Sequence, residues 1–443
     1  MSGHLVRRAF VCLLGFLLFC ATAVNAQSPA WVYQSVGISI TDNPDPGELT
    51  GFGSAVAIEG RTALVGIPFY SPDAFPGSGP GGQGRVAVFT ADAATGTVWT
   101  RTGSIENPDS TANRSFGQTL AIKQGRLIVG STSAVFAFDK HGAGANEEWT
   151  LLATITPPAS TATGRSFGFG SAFAYDDGVL AEVVFESVTV NGVSEGTTSV
   201  YFYEIGRDGK VRVLDKVASP GAGCGFGTSL ALDADTLVVG CPGGPTPTAS
   251  GLAYVYTHRG DRWKLAETLA GSTASGAGFG SAVAIRKDVI VVGAPYEDME
   301  EDSNFNFLAQ GAGYVYLRKG QDCGDSTWTL SQRIRPDPNV SGTYGELGYT
   351  VAVDGGHAAF GAPLSTQTLE PAPGAALIYQ RQGDQFVFEG KAPGISDGTS
   401  MAMSGKRLIV GTDEDYEPFG LFEQATIVDF DPSVATTGSS TSP

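Results

Sequence analysis

Charge is scarce in this 443-residue chain, and the positive kind scarcer: 16% of residues are charged, with 27 Lys and Arg against 45 Asp and Glu, for a formal net charge of −18. A surface of that sign repels phosphate backbones, and no Lys/Arg stripe interrupts it, so nucleic acid is not an expected partner. Histidine is rarer still: beyond His4, only His141, His258 and His357 occur, in three different repeats and without zinc-like spacing. No Gly-x-Ser-x-Gly elbow, phosphate loop or Cys/His nucleophile pair is present. Long apolar runs are also missing. The longest, residues 9–23, falls short of the ~20 residues that cross a bilayer. It follows Arg7 and Arg8 and precedes Val24-Asn25-Ala26, with small residues at −3 and −1 of a cleavage site after Ala26. Residues 1–26 therefore read as a secretory signal peptide, which places the protein in a secreted or extracytoplasmic setting, the periplasm or a cell surface, with no membrane span. Of the five cysteines, Cys12 and Cys20 leave with that segment. Cys224 and Cys241 flank one strand pair and are a disulfide candidate in an oxidising compartment, although a simple hairpin register sets them out of step. Cys323 is then odd and reads as a buried or unpaired thiol.

Glycine is what the chain has in excess, 61 residues of it, and it recurs at fixed places. Seven cassettes open on Phe-Gly or a variant, at Phe52-Gly53, Phe116-Gly117, Phe169-Gly170, Phe226-Gly227, Phe279-Gly280, Leu347-Gly348 and the degenerate Asp397-Gly398. Such a period marks one supersecondary unit repeated, as in propellers and solenoids. Alternation within a cassette predicts four strands: A at the Phe-Gly segment, B ending near Val-Gly-Ala-Pro, C rich in aromatics, and D opening on a large apolar residue. All five tryptophans (Trp31, Trp99, Trp149, Trp263 and Trp328) fall at the start of strand D, which reads as packing between repeats. The last cassette ends at strand C, and the missing strand D pattern stands at residues 31–38, ahead of the first Phe-Gly. A closed ring uses that offset to pair its two ends and remove exposed edges. The fold expected is all-β: a seven-bladed β-propeller of four-stranded antiparallel blades, closed by an N-terminal strand that completes the last blade. It occupies residues 27–432 as a single domain, and a Ser/Thr-rich tail follows at 433–443.

Phe-Gly followed by Gly-Ala-Pro, most completely at Phe279-Gly280 with Gly293-Ala294-Pro295, resembles the FG-GAP repeat family. Its best-known architecture is the seven-bladed propeller of integrin α subunits. The third cassette has Ala181-Glu182-Val183-Val184 where the second half of the motif should stand, and the seventh ends in Gly411-Thr412-Asp413. Many integrin-type repeats carry calcium on an acidic loop between strands A and B. Here that connection is a short turn in every cassette, with too few oxygen ligands, so the calcium of the family is not implied.

In such a blade the A–B and C–D connections share one face and the B–C and D–A connections the other. The B–C connections are long and dissimilar, which makes their face the expected binding face, and the resemblance to integrin α propellers implies the same. Among these connections, residues 296–307 and 412–418 are acidic. The binding residues expected on this face are Tyr296, Glu297, Asp298, Glu301, Asp302, Phe305, Asp413 and Asp415. They read either as a site for calcium or a basic partner, or as solvated loops that aid solubility. No cofactor is specified. The leading functional reading is a non-catalytic recognition or adhesion module for an extracellular protein or glycan. The alternative is a propeller glycoside hydrolase or polysaccharide lyase that draws carboxylates from different blades, and the oligomeric state is left open.

Overall fold

The computed structural model describes residues 35–38, 50–70, 82–94, 96, 98–109, 115–142, 147–158, 169–190, 193–221, 223–243, 251–271, 276–301, 307–320, 327–336, 344–365, 375–392, 400–412, 415–416, 420–421 and 424–429. Two units are distinguished, Met1–Ala30 and Trp31–Pro443. The proposed signal peptide lies outside the described residues, and everything below concerns the second unit.

Among the described residues, seven four-stranded antiparallel sheets form the blades of this unit, each in the order A-B-C-D, beside three two-stranded pairs. The fifth blade shows the pattern: A is Ala282–Arg286, B Val289–Ala294, C Ala312–Lys319 and D Thr327–Ile334. Each strand A lies beside the A strands of the neighbouring blades, and that of blade seven beside that of blade one, so the A strands close a ring around a central channel. In blade seven the outer strand is Ser35–Ile38, paired antiparallel with Gln424–Asp429 from Ser35 opposite Val428 to Ile38 opposite Ala425. The chain is thus an all-β propeller closed by its own N-terminal strand. One departure from the expected strands occurs in blade three. There the segment anticipated as a loop from Glu186 to Gly196 is instead a continuous ladder, with Glu186 opposite Thr197 and Val190 opposite Val193.

The core is divided among the gaps between blades. Seven clusters of buried apolar residues occur, and each mixes side chains from two adjacent blades. Strand B explains how. Ile290, Val292 and Ala294 face blade four, while Val289 and Val291 face blade six, and all five are buried. A strand covered on both faces loses the apolar–polar alternation of a half-exposed one, which is why these strands read as unbroken runs such as Val-Ile-Val-Val.

The Phe-Gly and Gly-Ala-Pro elements are the locks between blades. The Phe is buried in each described case, and in blade five Phe279 meets Tyr314 edge-on at 5.1 Å between ring centres. The following glycine N–H donates to the carbonyl of the Gly-Ala-Pro glycine in its own blade, as Gly280 does to Gly293 at 2.9 Å. The Gly-Ala-Pro glycine in turn presses on the next blade: a Cβ on Gly293 would lie 1.8 Å from the Gly348 carbonyl oxygen, and one on Gly66 2.0 Å from that of Gly117. Only glycine allows this approach. Blade three breaks the motif with Val183 and replaces the missing contact differently. The Gly170 N–H is accepted by the carboxylate of Glu182 at 2.6 Å, on a side chain with no solvent exposure.

Candidate binding site at the channel mouth

Strand A starts, and strand B ends, on the face that carries the B–C and D–A connections. The residue after each Phe-Gly therefore lines the mouth of the channel there. Ser54, Gln118, Ser171, Thr228, Ser281 and Tyr349 occupy this position in blades one to six, and the cavity they border, about 540 Å³, also takes in Thr119, Ser229, Thr350 and Ser400. Among the described residues, no Asp, Glu, Lys, Arg or His lines it. The hydroxyl protons are largely committed to the backbone. Ser54, Thr228 and Ser281 donate to the carbonyls three residues back at 2.6–2.7 Å, while Thr119, Ser229 and Ser400 donate to the next blade at 2.7–3.0 Å. A hydroxyl that donates inward still has lone pairs to offer, so the mouth is an uncharged ring rich in hydrogen-bond acceptors. Tyr296 and Tyr349 stand at its rim, 40% and 39% exposed. Burial, and then the Glu346 carboxylate, push the Tyr296 hydroxyl above its ordinary pKa and keep it a donor.

The acids beside Tyr296 are placed otherwise. Glu297 is fully buried, accepts the Tyr314 hydroxyl at 2.5 Å and pairs with Arg333. Asp298 pairs with Arg333 at 3.1 Å and with Arg335. Both arginines come from the end of strand D in the same blade, so these two carboxylates are neutralised within the chain. Glu301 lies in a short strand, Met299–Glu301, opposite Phe307 of Phe307–Ala309. Asp415 lies in Asp415–Tyr416, opposite Leu421. Asp302, Phe305 and Asp413 are outside the described residues, as is Cys323. Among the described residues anticipated for binding, Tyr296 is the one that lines the mouth.

Cys224 and Cys241 are joined as a disulfide with their Cα atoms 5.2 Å apart. The pairing lies beyond the A–B hairpin itself, where the chain entering strand A runs beside the chain leaving strand B. Gly243 N–H donates to the Cys224 carbonyl at 2.8 Å, the bond that Tyr296 makes to Ala277 in blade five and Phe69 to Thr50 in blade one.

The opposite face is bolted by the last residue of every strand A. Glu59 accepts the backbone N–H groups of Gln124 and Gly125 in blade two at 2.6 and 2.9 Å. Lys123 pairs with Asp176 at 3.2 Å, and Asp176 accepts the Ala234 N–H at 2.7 Å. Arg286 bridges Asp233 at 2.7 Å and Asp354 at 3.0 Å. Asp354 accepts the Gly405 N–H at 2.8 Å, and Ser404 accepts that of Gly60 at 3.1 Å. All seven joints are crossed. These acids, legible in the sequence only as turn residues, serve assembly of the ring, whereas the polar residues that follow the Phe-Gly pairs converge at the opposite mouth.

Comparison with known proteins agrees with this architecture. The model of the FG-GAP repeat family matches residues 264–316, from strand D of blade four to strand C of blade five. A search of curated proteins finds no similar sequence. Among solved structures the chain is similar to the WD40 repeats of RRP9, with a TM-score of 0.51 and 12% identity over 91% of this chain and 99% of that one. At that identity the likeness shows the fold alone. Residues 264–316 match an FG-GAP repeat, the other blades are built on the same four-stranded plan, and the chain as a whole is a seven-bladed β-propeller.

Proposed function

We propose that the protein is a secreted, non-catalytic recognition module that holds an extracellular protein or glycan against the channel mouth on its long-loop face. The observation that carries this reading is the mouth itself: an uncharged ring of hydroxyls and carbonyls with two half-exposed tyrosines at the rim, opposite a face closed by inter-blade bonds. Tyrosine offers a large contact area and a polar tip at little entropic cost, which suits it to recognition surfaces. The sugar-cleaving alternative requires facing carboxylates, and none lines the mouth among the described residues. Secretion rests on the leader pattern of residues 1–26 and on the extracellular setting typical of FG-GAP repeats.

The test is to screen the chain from Gln27 onward against panels of neutral oligosaccharides and extracellular matrix proteins, beside a Tyr296→Ala, Tyr349→Ala double variant. The variant is expected to lose about tenfold or more in affinity for whichever probe binds, with an unchanged melting temperature. Equal binding by the variant would move the site away from the mouth. Release of reducing ends from a polysaccharide would replace this reading with the catalytic one.

A further inference from the structure

A second cavity lies away from the channel, at the rim of the ring between blades one and two, and the repeat itself shows why it is there. At three other joints, the outer-strand residue four places after its leading Val211, Trp263 or Trp328 reaches across to the first residues of the next outer strand. Asp215 accepts the Trp263 backbone N–H at 2.7 Å, Glu267 that of Trp328 at 2.8 Å, and Gln332 that of Phe386 at 2.8 Å. Each bridging residue pairs with strand C immediately beside the register shift, as Gln332 does with Val315. In blade one the same register position, opposite Val88, is Gly103. A Cβ built there meets nothing within 4 Å. Where Ala153 holds the position in blade two, the backbone closes the gap, since a Cβ on Gly209 would lie 2.5 Å from the Leu152 carbonyl oxygen. The joint between blades one and two is left open as a cavity of about 530 Å³, within the ~300–1,000 Å³ range of small-molecule sites.

Two residues that line this groove each carry a buried polar atom without a partner among the described residues. The Glu147 side chain is 1% exposed, and its Oε1 makes no hydrogen bond; the indole Nε1 of Trp149 is likewise buried and unpaired. A buried donor or acceptor without a partner is costly, and a ligand that supplies both partners recovers that cost. Charge narrows the choice. Lys140 already pairs with Glu147 Oε2 at 2.9 Å, donates to Thr62 at 2.7 Å and sits 5.9 Å from the centre of the Trp149 ring. The cation position is filled, and an ammonium could not accept from the indole. An anion would meet Glu106, Glu147 and Glu148. What remains is a neutral ligand bearing adjacent donors and acceptors, with an apolar face for an aromatic ring.

We infer that this groove is a binding site for a neutral saccharide, one hydroxyl of which donates to Glu147 Oε1 while another oxygen accepts from Trp149 Nε1. The site is separate from the channel mouth and stands or falls without it.

Titration calorimetry of the chain from Gln27 onward with a panel of neutral mono- and disaccharides is the test. At least one sugar is expected to bind. Gly103→Gln, which restores the bridge used between blades five and six, is expected to abolish that binding while leaving the melting temperature unchanged or higher. Trp149→Phe keeps a ring but removes the N–H, and is expected to weaken binding about tenfold. Tyr296→Ala is expected to leave it untouched. The inference is overturned if no sugar binds, if Gly103→Gln binds as the wild type does, or if a basic peptide displaces the sugar from the groove.

Discussion

Glu182 shows how one residue can stand in for a lost motif. Its carboxylate replaces the carbonyl that accepts the Phe-Gly glycine N–H, and burial pushes its pKa well above the ordinary range, with the Gly170 N–H acting in the opposite sense. The folded state therefore keeps a proton that the unfolded chain releases. Linkage gives the sign: stability is fullest below the ordinary carboxylate pKa and falls as pH rises from there towards the raised value. Glu182→Gln retains an acceptor and cannot ionise, so its melting temperature should stay flat across that window. The slope removed is at most about 1.4 kcal/mol per pH unit, and a melting series from pH 4 to pH 9 measures it. A parallel decline in both proteins would show that Glu182 is not the titrating group. Tyr296 and Glu297 carry the contrasting lesson. They are adjacent in the chain, yet one lines the channel mouth while the other is buried against Arg333 and Tyr314, a difference that depends on what strand D of the same blade supplies.

At the scale of the element, each blade is an ordinary meander whose strand B is covered on both faces, whose strand A is partly open to the channel and whose outer strand is half exposed. Thr327–Ile334 mixes exposed and buried positions, while Val289–Ala294 is buried throughout. Strand identity, order and the tight A–B turns were legible from the repeat, because propensity and period act locally. The extended hairpin of blade three was not, because a polar stretch such as Ser194-Glu195-Gly196 continues a ladder only when its partner strand is in place. In blade four the disulfide closes a segment of sequence separation 17, joining the chain entering strand A to the chain leaving strand B. Removing it with Cys224→Ala and Cys241→Ala together should cost about 3 kcal/mol by the loop-entropy estimate. Denaturant titration of the oxidised wild type against the double variant checks this, and equal midpoints would mean that blade four is held by packing alone.

At the scale of the whole molecule, stability is shared among seven equivalent gaps, and the ring needs all of them closed. The strand Ser35–Ile38 completes the last gap and covers the outer edge of Gln424–Asp429. A chain beginning at Thr50 should leave that edge open, melt at a markedly lower temperature and associate through the bare strand, which light scattering would register as oligomers. A monomeric, equally stable truncation would show that closure does not depend on this strand. The sequence by itself determined the blade count, the strand phase, the borrowed strand and the glycine positions, because these follow from short-range periodicity repeated seven times. Only the tertiary structure decided which polar groups line the channel mouth and which join neighbouring blades. The polar side chains after the Phe-Gly pairs are far apart in the chain and converge only when the ring closes. The acids at the ends of the A strands become bonds only when the next turn arrives beside them. Gly103 is an unremarked residue until its equivalents in three other blades are seen to fill the space that it leaves open.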